Sequence, residues 1–141
     1  MQFLPEDVLK LGLAILVGGL IGAEREFRDK SAGLRTIIFI TIGSALFTIL
    51  SPKLGDAVHT ARIAANIVTG IGFLGAGAII REGTKIAGLT TASTIWLAAS
   101  LGMGIGAGQY TLVSLSTLVI MVILWLRSEE HTSELQSPNT I

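Results

Sequence analysis

The residues in this sequence best suited to chemistry are charges and amides beside long apolar stretches. Glu24 and Arg28 stand four apart, the spacing that pairs side chains on one helix face. Arg25 and Arg35 bracket a short polar loop, and Arg81 and Glu82 follow an apolar run directly. Together they describe paired acids and bases at a membrane surface, able to bind a cation or a protein partner. The plainer account is that they are solvated loop charges or lipid-headgroup anchors. Asn66 shares a helical face with Thr69, Gly70, Phe73 and Gly77, and Thr91 and Thr94 share one with Ala98. A polar group inside an apolar helix faces another helix or a wet cavity. These faces therefore predict either interhelical hydrogen bonds or, if they meet, a polar ion path.

Enzyme chemistry is not expected. The chain has no cysteine, and its two histidines, His59 and His131, are isolated. Glu24, Glu26 and Glu82 have no fixed mutual spacing, so no metal ligands are assigned and no cofactor is implied. The string Gly70-Ile71-Gly72-Phe73-Leu74-Gly75 matches a dinucleotide fingerprint in letters only, since the strand, the soluble βαβ unit and the later acid are missing.

The elements that must position these residues are apolar helices. Of 141 residues, 50% are hydrophobic and 14% charged, with a mean hydropathy of +0.71. Soluble domains carry about a quarter charged residues, so the bilayer is the expected solvent. Zero net charge with no basic run argues against nucleic acid as a partner. Charge clusters divide the chain into five apolar stretches, at about 8–23, 34–50, 63–80, 86–107 and 110–126. The expectation is an all-α membrane protein of about five short transmembrane helices, because helices satisfy their own backbone in lipid. Arg25, Arg28, Lys30, Arg35, Arg81 and Lys85 fall on one side and Lys10, Lys53 and Arg62 on the other. That bias predicts a periplasmic N-terminus and a cytoplasmic end after the fifth helix. The acids near the start, Glu6 and Asp7, and the lack of a cleavage site predict a retained first helix.

Glycines are expected to pack these helices. Gly18 and Gly22, Gly70 and Gly77, and Gly102 and Gly106 permit close backbone approach, either within one subunit or across a homo-oligomer. The domain is expected to cover residues 1–126. The polar string 127–137 resembles the translation of a short-read sequencing adapter, so 127–141 is read as a non-native tail.

Four ordered blocks carry a resemblance to a known family. They are Gly18–Glu26 leading into Ala32–Thr36, Ile42–Phe47, Arg62–Gly77, and Arg81–Gly83 followed by Gly88–Trp96. In this order and spacing the chain resembles the membrane domain of the MgtC/SapB family; the family block usually has Asn where Thr90 stands. The resemblance implies a bacterial inner-membrane protein tied to magnesium limitation and, in pathogens, to survival inside macrophages. It further implies action on membrane partners such as the F-type ATP synthase rather than magnesium transport. The other reading of the polar faces is a small transporter or channel for magnesium or another ion, which a chain this short would need an oligomer to build.

Overall fold

The computed structural model describes residues 5–55, 57–82 and 84–126, leaving aside the side chains of 57–60, 81, 82 and 85. Tail residues 127–141, and with them the expected boundary at Leu126, lie outside the described residues, as does the side chain of His59. Five helices account for most of the chain: α1 Pro5–Phe27, α2 Leu34–Leu54, α3 Ala57–Gly77, α4 Leu89–Gly106 and α5 Tyr110–Leu126. A two-stranded antiparallel ribbon, β1 Ile80–Glu82 and β2 Lys85–Ala87, joins α3 to α4. The helices α2 and α4 are long and apolar enough to cross a membrane, while 61–77 and 110–126 are apolar but shorter.

The expected boundaries shift at the polar ends. Residues 80 and 86–87, placed by hydropathy in the third and fourth spans, leave those helices to pair as the ribbon. Hydropathy cannot see this, because Ile80, Ile86 and Ala87 are as apolar as helix residues. The Gly83-Thr84 dipeptide between β-paired neighbours is the local signal, since Gly followed by any residue suits a two-residue hairpin loop. Conversely, α1 runs on past Ala23 to Phe27, which brings Glu24, Arg25 and Glu26 into the helix. It ends in a Schellman motif: the Lys30 N–H donates to the Arg25 carbonyl and the Asp29 N–H to the Glu26 carbonyl, both at 3.1 Å, with Asp29 at φ 51°. The end of α4 repeats the device with Gly108 at φ 76° and Gln109 donating to the Gly104 carbonyl.

Glycine contacts set the helix directions. A Cβ at Gly18 would stand 3.0 Å from the Ile38 Cα, and one at Gly22 would stand 2.8 Å from the Leu34 Cα. Rising numbers on α1 meet falling numbers on α2, so these helices are antiparallel. Gly102 abuts Thr41 and Ser44, and Gly106 abuts Ala45 and Thr48, so α2 and α4 run parallel. Four of the packing glycines thus seat α2 between α1 and α4 within one subunit. Gly70 and Gly77 differ, because nothing lies within 4 Å of where their Cβ atoms would be. They border open hollows instead, so they bring no helix closer within this subunit.

Apolar residues fill the inside of this bundle and also cover its outside. The core mixes Ala14, Ile21, Ile37 and Ile105 with buried Thr41, Ser44, Thr94 and Thr117. The outside carries Leu16, Phe39, Phe47 and Phe73, and along α5 Leu112, Leu115, Leu118, Val122 and Trp125. An apolar surface that continuous needs an apolar surrounding, and small or hydroxylated residues inside are how helices pack in lipid.

Candidate functional site

The site is built at the end of the bundle where α1 stops and α2 and α4 start. Arg25 is the decisive residue. It is 2% exposed, and its terminal Nη2 donates to Thr91 Oγ1 in the first turn of α4 at 2.7 Å. Among the described residues its Nε has no hydrogen-bond partner, and neither does the buried Oε2 of Glu24. The other oxygen of Glu24 pairs with Arg28 Nε at 2.5 Å. Taking a guanidinium out of water costs free energy, which the adjacent Glu24 charge partly offsets. Buried polar atoms without partners are rare in folded proteins. Two of them on neighbouring residues mark this end as the polar hot point of the subunit.

Glu26 works one step further out. Its Oε2 accepts the Leu34 N–H at 2.8 Å, capping α2 from eight residues upstream because the N-cap position is Gly33 and has no side chain to offer. A Cβ at Gly33 would collide with that carboxylate. A negative group at a helix start also complements the helix dipole. Arg35 is exposed and lines an open hollow of about 500 Å³ with Glu26, Asp29 and Lys30. Arg81 and Glu82 fall in β1, and their side chains are outside the described residues.

The α3 face reaches the α4 face only at its end, where Phe73 and Gly77 share a hollow with Thr91; Asn66 is not part of that hollow. Asn66 is exposed in an apolar groove of about 640 Å³ between α2 and α3, beside Ser44 and Gly70. Thr91 is instead turned to Arg25, and the Thr94 hydroxyl donates to the Thr90 carbonyl of its own helix at 2.8 Å. Asn66 and the two threonines thus stand in separate environments within the subunit. Their separation follows from the parallel seating of α4 on α2, which turns the threonine face toward α1.

One feature at the opposite end escaped the sequence. Asp7, 4% exposed in the first turn of α1, forms an ion pair with Lys53 at the end of α2. This clasps the two antiparallel helices at the far side from Arg25. An acid in a helix's first turn is ordinary, so no local pattern marked Asp7 as buried.

The model of the MgtC family matches residues 11–133 of this sequence. The chain belongs to the MgtC family. Among curated MgtC relatives, the Protein MgtC of Salmonella typhimurium strain LT2 is 47% identical over 114 residues, which is 81% of this chain and 49% of that protein. Protein MgtC of Brucella abortus strain 2308 is 44% identical over 110 residues, 78% of this chain and 46% of that protein. The chain thus spans about half the length of the MgtC relatives it matches. No solved structure matches it. The matched stretch contains the whole Arg25–Thr91 site, and membership of this family agrees with the lipid-suited exterior.

Proposed function

We propose that this chain is the multi-pass, bacterial inner-membrane part of a non-enzymatic regulator of adaptation to low magnesium, and in a pathogen of survival inside macrophages. In this reading it acts by binding membrane partners such as the F-type ATP synthase. The observation that carries it is the direction of the buried hydroxyls. Thr41, Thr94 and Thr117 each donate to a carbonyl one turn back in their own helix at 2.8 Å. That polarity is spent on backbone rather than offered to a passing ion. Glycine-mediated contact of α2 with α1 and α4 occupies the centre where a path would run. The broad apolar faces of α3 and α5 are left for membrane partners. The orientation that accompanies this reading places the Arg25–Arg35 end in the cytoplasm, following the Lys/Arg bias.

The test is a paired measurement on the full chain. Proteoliposomes carrying it are expected to take up no more magnesium than empty ones. Inverted vesicles are expected to show reduced ATP-driven proton pumping when the chain is present. Magnesium flux that disappears with Asn66→Leu would overturn the proposal in favour of a transporter.

A further inference from the structure

The groove between α2 and α3 holds a polar group that nothing described in the subunit answers. Gly43 on α2 and Asn66 on α3 line it, each one residue before the midpoint of a 21-residue helix. At 1.5 Å per residue, that puts Asn66 roughly 14 Å from the nearer end of α3, in the middle of the hydrocarbon layer. Asn66 is exposed, and among the described residues its side-chain amide makes no hydrogen bond. Thr69 on the same helix, by contrast, donates to the Ala65 carbonyl one turn back at 3.1 Å. Around the amide the groove is apolar. Phe39 and Phe47, one turn either side of Gly43, are 71% and 58% exposed. Nothing lies within 4 Å of where a Gly43 Cβ would be, so the surface is recessed at the depth of Asn66 and raised above and below it.

We propose that this groove is the interface of a homodimer in which Asn66 pairs with Asn66 of a second copy. Lipid chains offer neither donor nor acceptor, so an amide facing them at mid-depth forfeits its hydrogen bonds. A partner helix restores them, which is why amides in apolar helices mark helix contacts. The amide itself selects a second copy as that partner. It carries both a carbonyl and an NH2 group, so two of them pair reciprocally. Copies inserted in the same direction are related by a two-fold axis along the bilayer normal. That axis brings a residue to its own copy at equal depth. The recess at Gly43 gives the two amides room to meet, and Phe39 and Phe47 cover the contact with apolar surface. Neither α5 nor the Arg25–Thr91 end is used, so the dimer holds for a regulator and for a transporter alike.

Single-molecule photobleaching of the labelled full chain in phosphatidylethanolamine–phosphatidylglycerol bilayers, at falling protein-to-lipid ratio, tests it. Two-step bleaching is expected, giving way to single steps on dilution. Asn66→Leu is expected to move the midpoint of that change about 10-fold toward higher protein density. Gly43→Leu, which fills the recess, is expected to move it in the same direction. Asn66 is exposed and Gly43 has open space at its Cβ position, so helical content by circular dichroism is expected to stay at the wild-type level. Ile63→Cys, in the same groove one turn from Asn66, is expected to give dimers with a short bismaleimide, and Leu118→Cys on the exposed face of α5 is not. Single-step bleaching at every density would mean that lipid or a different protein covers the groove, and would overturn the proposal. An unchanged midpoint in Asn66→Leu, or cross-linking through Leu118→Cys in place of Ile63→Cys, would overturn it as well.

Discussion

At the scale of single residues, the interest lies in a cation placed where water does not reach. Arg25 has one described acceptor, Thr91 Oγ1, and that bond ties the end of α1 to the start of α4 across 66 residues of chain. A hydrogen bond to a charged group contributes about 1.5–3 kcal/mol, and deleting its acceptor leaves the donor buried without it. Thr91→Val is therefore expected to destabilise the chain by about 2 kcal/mol, while Thr91→Ser stays close to wild type; thermal unfolding in detergent reads both. Equal melting of the two variants would mean that the hydroxyl contributes nothing. Both residues were visible in the sequence as polar groups beside apolar runs. Their pairing was not, because neither helix pattern encodes which face of α4 meets α1. Arg25 reads as a surface charge until α1 is seen to continue to Phe27.

At the scale of helices, glycine separates into two kinds that share one sequence signature. Gly102 faces the Thr41 carbonyl so closely that any Cβ must push α2 and α4 apart. Gly102→Ala is expected to cost about 1–3 kcal/mol, the range for forcing extra volume into a packed contact. Gly70 has open space around its Cβ position. Gly70→Ala is expected to be neutral or to stabilise by about 0.5–1 kcal/mol, because it removes only the entropy that glycine brings to a helix interior. Unfolding curves moving in the same direction for both would refute this division. The end of α1 supplies a further case. Asp29 holds a left-handed conformation at the position where helices usually place glycine. Asp29→Gly is expected to raise the melting temperature, and a lower one would show that the Asp29 side chain matters more than its backbone. Element type and number were readable from hydropathy. The ribbon and the four-residue extension of α1 were not, because they depend on turn chemistry at charged ends.

At the scale of the whole molecule, the two ends of the bundle differ. Arg25, Arg28, Lys30 and Arg35 gather with the ribbon at one end, and the Asp7–Lys53 clasp closes the other. Parallel α2 and α4, with α1 antiparallel to α2, fit a chain that crosses a bilayer up and down. The natural absence of cysteine makes this measurable. A single cysteine at Ser31 or Thr84 is expected to react with an impermeant maleimide only after cells are permeabilised, and one at Gly55 or Gln109 in intact spheroplasts. The reverse pattern would invert the proposed orientation. By itself the sequence determined the helical class, the apolar exterior and the family blocks, because these follow from composition and from residue order at short range. Only the tertiary structure decided that Thr91 answers Arg25 rather than Asn66, that Gly18, Gly22, Gly102 and Gly106 close around α2 while Gly70 and Gly77 do not, and that Asp7 is buried. Each of those depends on the rotation of one helix against another, which interhelical packing sets and no single helix records.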